Sequence, residues 1–144
     1  MAASIGSQYR TRFLCVRRFQ NKIKESVYTL IKAQIDNFGL PGYNVMATDI
    51  NHANGTDFTF YGIDRNTDEI KSFEGADVLW IEEAHNLTAE QWKVLEPTIR
   101  KQNSEVWISF NPKLMTDFIY QRFIVNPPPS TRVRLINYPE NPFL

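Results

Sequence analysis

Glu82 and Glu83 directly follow four apolar residues, Val78-Leu79-Trp80-Ile81. Two carboxylates at the C-terminal tip of a buried strand are costly unless something uses them. Neighbouring side chains of a strand point to opposite faces, but where the backbone turns at its end both can reach one ligand above the sheet. Such a pair can divide the work of nucleotide hydrolysis. One acid holds Mg²⁺, usually through water, while its neighbour orients and polarises the attacking water. We assign Glu82 to the metal and Glu83 to the water. The competing reading is that both acids simply open a solvated helix. His85 has no second histidine nearby and reads as a loop residue rather than a metal ligand.

The next strand-like run, "EVWISF" at 105–110, leads into Asn111-Pro112. It places Ser109 and Asn111, two small hydrogen-bonding groups, one strand after the acid pair. A neutral polar residue there can contact a terminal phosphate or the attacking water. An Asn-Pro turn is common, so its position beside the acids gives the signal its value.

The elements that must position these groups follow from periodicity. "RFLCVR" (12–17) is rich in apolar and branched residues and predicts a strand. Ile23, Val27, Leu30, Ile31, Ile35 and Phe38 recur at helical spacing, and Gly39 and Pro41 end that helix. "YNVMATDINHANGTDFTFYGI" holds two extended runs around Asn54-Gly55, the signature of a β-hairpin. Residues 66–73 form a short helix or loop. Residues 77–81 predict a strand buried on both faces. Thr88 and Gln91 fit a capping box opening a helix with Trp92, Leu95 and Ile99 on one face, which Pro97 breaks or kinks. A helix near 116–123, the rigid connector "NPPPS" and a last strand "RVRLIN" (132–137) complete the chain. Strands alternating with helices predict an α/β fold with a mainly parallel sheet.

At 144 residues, with 42% hydrophobic and 22% charged residues, the sequence suits one domain with a real core. No apolar run is long enough to span a bilayer, and no secretory-signal layout opens the chain. The single Cys15 excludes an internal disulfide and reads as a core residue. Sixteen basic residues balance sixteen acidic ones, so no global field announces nucleic acid. The distribution is uneven, however. Seven bases (Arg10, Arg12, Arg17, Arg18, Lys22, Lys24 and Lys32) face one acid, Glu25, in residues 1–35. Nine acids face three bases in residues 64–96. The basic segment is either a phosphate-contacting surface or a solvated face. Trp80, Trp92 and Trp107 read as core, and Tyr138-Pro139 and Asn141-Pro142 as an extended tail.

"IKSFEGADVLWIEEAHNLTAEQWKVLEPTIRKQNSEVWISFNPK" resembles the ATPase domain of tailed-bacteriophage terminase large subunits, the motors that pump DNA into procapsids. "RFLCVRRFQNKIKESVYTLIK" and "YQRFIVNPPPSTRVRLINYPENPF" resemble flanking parts of that family, so the likeness covers most of the chain. The resemblance implies a P-loop NTPase (ASCE) type of sheet. It implies Glu82 as the Walker B acid, Glu83 as the catalytic glutamate, and Ser109-Phe110-Asn111 as the coupling motif. Lys71 is the nearest match to a basic residue that reaches a neighbour's nucleotide in some members, although lysine lacks arginine's planar fork and a plain surface lysine is an equal reading. It further implies ATP and Mg²⁺ as cofactors. The implied partners are double-stranded DNA, a terminase small subunit, a portal and further copies of the chain. The implied setting is the host bacterium's cytoplasm, with no membrane.

One expected part is absent from the sequence. Its six glycines precede Ser7, Leu40, Tyr43, Thr56, Ile63 and Ala76, so no G-x-x-x-x-G-K-[ST] phosphate loop exists in it. The resemblance places that loop and its strand just upstream. We therefore expect residues 1–144 to be a partial ATPase domain, without its P-loop strand and without the family's C-terminal nuclease, and inactive by itself. The "EVWISF" strand would then carry a bare apolar edge, met by a dimer, a strand exchange or a rearranged last strand. Two alternatives stand beside this reading. "EEAH" is similar to the "DEAH" box of helicases, which expects a Ser-Ala-Thr type motif where "SFNP" stands. A non-enzymatic module would bind DNA or a partner through Arg10, Arg12, Arg17 and Arg18.

Overall fold

A computed structural model describes residues 1–136 and, within them, the backbone alone at Gln20 and Asn21. The chain opens with a helix, α1 (Ala2–Gln8), and passes into β1 (Arg12–Arg17). A continuous helical stretch follows: α2 (Gln20–Ile23), a π-helical turn (Lys24–Tyr28) and α3 (Thr29–Asn37). Then come β2 (Tyr43–Val45), β3 (Asp49–His52), β4 (Asp57–Gly62), α4 (Thr67–Lys71) and β5 (Val78–Glu82). The rest is α5 (Ala89–Leu95), β6 (Glu105–Ser109) and α6 (Phe118–Tyr120), which runs into a second π-helical turn, Gln121–Val125.

Six strands form one sheet in the order β2-β3-β4-β1-β5-β6. β4, β1, β5 and β6 run parallel, and β2 and β3 add antiparallel strands at the other edge. β1 lies between β4 and β5, and all four of its interior residues are buried. Because successive side chains alternate, Phe13 and Cys15 enter one core while Leu14 and Val16 enter the other. On the first face, α1 and the α2–α3 helix cover Phe13, Phe58, Phe60 and Val78, and Phe13 stacks on Phe58 with ring centroids 4.3 Å apart. On the second, α4, α5 and α6 cover Leu14, Val16, Leu79 and Ile81 with Ile70, Trp92, Leu95 and Ile119. The result is a three-layer α/β domain with a mainly parallel sheet, as expected from the alternating pattern.

Local expectations mostly hold. Ile23, Val27, Ile31 and Ile35 are buried, but Leu30 and Phe38 are exposed, so the apolar stripe is narrower than the sequence implied. Thr88 and Gln91 form the complete capping box. Pro97 ends α5 by sitting in the first turn of a 3₁₀ segment, Glu96–Thr98. Asn54-Gly55 does turn a hairpin, β3 to β4, yet the run before it splits into two strands, making a three-stranded meander.

One expectation fails. Residues 131–136 form no strand, and Asn137 and the tail lie outside the described residues. A strand needs a neighbour to share its hydrogen bonds. Pro127-Pro128-Pro129 leads instead into a turn in which Pro128 O accepts from Thr131 N and Oγ1, and Val133, Leu135 and Ile136 are left exposed. Among the described residues β6 is consequently the outer strand, paired with β5 alone.

Candidate active site

The parallel strands bring three chain segments to one end of the sheet. Glu82, the last residue of β5, lies in register with Ser109, the last residue of β6. Arg17 ends the adjacent β1, one residue after the Val16–Ile81 pair. The sequence reading thus has its strand ends side by side, in the crevice where open α/β sheets bind ligands.

Glu83 leaves the strand in a left-handed conformation, φ +50° and ψ +48°. That region costs a non-glycine residue on the order of 1–2 kcal/mol. It bends the chain at the strand tip, so Glu82 and Glu83 no longer alternate across the sheet and both reach one cation. Arg17, whose side chain is only 15% exposed, pairs through Nη2 with Glu83 Oε2, while its Nη1 stands 4.0 Å from Glu82 Oε2. Arg17 also donates from Nη1 to the Lys22 carbonyl. Glu82 Oε2 is buried and accepts no hydrogen bond among the described residues. His85 Nδ1 and Asn86 Oδ1, in the 3₁₀ turn that follows, are buried and unpartnered in the same sense.

A cleft of about 420 Å³ opens at this end, lined by Arg17, Glu83, His85, Asn86, Asn111 and Lys113, with Arg18, Phe19 and Lys22 at its margin. Four cations therefore face one carboxylate there, a balance suited to a polyanion. Arg18 is engaged by Asp64 at 3.1 Å and Lys22 by Glu25 at 3.7 Å. A slightly larger cleft, about 480 Å³, lies between the α2 end and the β3–β4 hairpin and holds none of the expected site residues. We favour the first because chemistry-bearing groups converge on it.

Glu83 and Asn111 line the cleft, Glu82 and Ser109 sit at its strand ends, and Lys71 lies exposed in the last turn of α4, outside its lining. Arg17 is the functional candidate that sequence reasoning missed. It was counted only as part of a basic segment, and nothing local ties it to an acid 66 positions later. Cys15 lies behind the site, fully buried. Burial, reinforced by the charge on Glu82, pushes its thiol pKa far up, leaving it inert.

No curated protein matches the chain in sequence. A family model described as phage terminase large subunit matches residues 5–144. The chain belongs to the phage terminase large subunit family. Solved structures agree in fold. A large terminase from a thermophilic bacteriophage is similar at TM-score 0.67 and 13% identity, over 83% of this chain and 32% of that one. The same terminase in complex with ADP matches at TM-score 0.65 and 12% identity, over 81% and 29%. The N-terminal domain of the DNA packaging ATPase from bacteriophage phi29 matches at TM-score 0.65 and 12% identity, over 93% of this chain and 75% of that domain. The terminase chain thus spans about a third of the length of the large terminase chain it resembles. The family match sets the helicase alternative aside. No helix among the described residues is long and apolar enough to cross a membrane.

Proposed function

We propose that this terminase chain carries the metal-binding and water-activating half of an ATP-hydrolysing site, built to drive double-stranded DNA into a procapsid. The observation that supports it is the buried Oε2 of Glu82, which accepts no hydrogen bond among the described residues and has Arg17 only at 4.0 Å, at the tip of a parallel strand beside Glu83 and in register with Ser109. An orphaned carboxylate oxygen costs stability unless a ligand satisfies it.

The residues fit Mg²⁺. Among the described residues no cluster of three or more His, Cys, Asp or Glu side chains could cage an ion. Mg²⁺ instead takes one or two carboxylates and completes its shell with waters and phosphate oxygens. Glu82 would hold it. When bound, Mg²⁺ neutralises charge on the phosphate oxygens. Glu83 orients water and takes its proton, which requires a free lone pair. Its contact with Arg17 runs through Oε2 alone, so Oε1 keeps lone pairs for that proton while Arg17 fixes the carboxylate's orientation. Ser109 and Asn111 supply neutral hydrogen bonds beside the reacting phosphate and couple the outcome to β6. Lys113 and Arg18 draw the polyphosphate in. Lys71, standing outside the cleft, suits a contact to a neighbouring copy's nucleotide better than one within its own.

Because the sequence contains no phosphate-binding loop, turnover by the chain alone is expected to be negligible. The packaging role, with small subunit, portal and other motor copies as partners in the host cytoplasm, rests on the family. A Mn²⁺ titration followed by amide NMR tests the site. Broadening should begin at Glu82, Glu83, Arg17 and Asn111 and vanish in Glu82→Gln. Broadening centred elsewhere, or unchanged in that variant, refutes the assignment. Mg²⁺-dependent phosphate release by the purified chain would refute the need for the loop.

A further inference from the structure

The capping box of α5 uses only part of Gln91. The Thr88 N–H donates to Gln91 Oε1 at 3.1 Å, which fixes the orientation of the amide and turns its Nε2 away from the cap. Nε2 donates instead to Asp64 Oδ1 at 2.6 Å. Asp64 Oδ2 accepts from Arg18 Nε at 3.1 Å, and the Asp64 amide donates to the Arg18 carbonyl at the same distance. A chain of hydrogen bonds therefore runs from the start of α5, through the loop after β4, to an arginine that lines the cleft. The helix cap does not need this extension, since Thr88 and Gln91 satisfy each other without it.

Arg18 is held by one edge and one face. Asp64 takes Nε, and the guanidinium lies over the Phe19 ring, 5.3 Å from its centroid. Neither Nη makes a hydrogen bond or ion pair among the described residues. Of the other cations in the cleft, Arg17 is engaged by Glu83 and the Lys22 carbonyl, and Lys22 by Glu25. Lys113 is a point charge without a planar fork. Arg18 is thus the group there that can grip two oxygens of one phosphate at once.

We propose that Asp64 and Gln91 are positioning residues, holding Arg18 so that its two Nη groups receive a phosphate of the nucleotide. This rests on the reading of the cleft as a polyphosphate site. The donor and acceptor pattern shows why these residue types are needed. Asp64 must accept twice, once from Arg18 and once from Gln91, and a carboxylate offers two acceptor oxygens. Gln91 must accept from Thr88 and donate to Asp64, which an amide does and a carboxylate does not. The charge of Asp64 by itself opposes an anion in the cleft, so what it contributes is orientation.

Pyrophosphate added without metal to the isotope-labelled chain tests this, with NMR for the site and calorimetry for affinity. The Arg18 Nε–H signal should shift, ATP should displace the pyrophosphate, and Arg18→Ala should weaken binding roughly tenfold. Asp64→Asn sets donor against donor whichever way the two amides turn, and Gln91→Glu sets two carboxylates together. Each should weaken binding about threefold or more, whereas charge alone would make Asp64→Asn tighten it. Asp64→Asn with Gln91→Glu restores every bond with one reversed in polarity, and the glutamate keeps the capping box. That pair should return affinity to within about twofold of wild type. With Arg18→Ala in place, neither single change should alter affinity. These readouts use no metal, so they and the Mn²⁺ titration of Glu82 can fail separately. Five results would each overturn the proposal: an unmoved Arg18 signal, tighter binding by Asp64→Asn, or a double variant no better than the singles. The others are single changes that still act without Arg18, and pyrophosphate that ATP cannot displace or that a short DNA duplex displaces instead.

Discussion

Asp77 holds together the end of the sheet opposite the site, and replacing it should be felt across three strands. Its Oδ2 accepts the Arg12 backbone N–H at 2.9 Å, and its Oδ1 meets Lys101 Nζ at 2.8 Å. Its own backbone bonds the Arg12 carbonyl and the Glu105 amide, linking β1, β5 and β6. Asp77→Ala leaves a part-buried N–H without an acceptor, worth about 1–3 kcal/mol. The Lys101 contact, with that side chain 53% exposed, is discounted by solvent to about 0.2–1 kcal/mol. We expect a loss of about 2 kcal/mol for Asp77→Ala, and about 1 kcal/mol for Asp77→Asn, which keeps an acceptor. Burial alone would raise the Asp77 pKa. The Lys101 hydrogen bond, the Arg12 amide and the charges of Lys101 and Arg10 outweigh it and hold the carboxyl below its usual range. A depressed folded pKa means stability that is present above the unfolded value, about 3.9. It is lost as pH falls through the folded one. Urea unfolding followed by tryptophan fluorescence should show the full gap between wild type and Asp77→Asn at pH 7 and a shrinking gap below about pH 4. A gap that does not change with pH, or an Asp77→Ala variant as stable as wild type, refutes this account.

Other expectations follow from single contacts. Arg17→Ala leaves Glu82 and Glu83 adjacent without their cation and should cost about 1 kcal/mol at neutral pH, because Glu83 is half exposed. A double-mutant cycle with Glu83→Gln should recover part of that cost, and strict additivity would deny the pairing. Gly42 has φ +88° and an added Cβ would lie 2.6 Å from His52 Nε2, so Gly42→Ala should destabilise by more than about 1 kcal/mol in the same unfolding assay. Cys15 should resist a thiol reagent in the native state and react fully in denaturant, whereas rapid native labelling would contradict its burial.

The parallel core was legible because β1 and β5 are short apolar runs that need cover on both faces, and because Thr88 and Gln91 announce their helix through local chemistry. Glu82 and Glu83 were legible for a related reason, since acids at the tip of such a run stand out. Arg17 was not, because its meaning depends on β1 lying beside β5, a pairing across 66 positions. Nor was the left-handed turn at Glu83, which no residue type marks. The arm at 131–136 misled, since its alternation describes what a segment can form, while the neighbour it needs is a matter of topology.

The π turn at Lys24–Tyr28 has a consequence for how the long helical stretch tolerates change. Ile23, Val27, Ile31 and Ile35 repeat every four residues, and in a regular α-helix each such step rotates the stripe by about 40°. Over three steps the drift would approach 120°, carrying Ile35 off the sheet. A wider turn takes up the surplus, and all four residues stay buried. The turn works as a phase corrector. Deleting one residue within 24–26 should convert it to ordinary helix with Ile23, Val27, Ile31 and Ile35 at spacings of three, four and four, which keeps the stripe within about 80° of arc. The turn can therefore lose its extra residue and keep the buried face, whereas forcing the present length into a regular helix would carry Ile35 off the sheet.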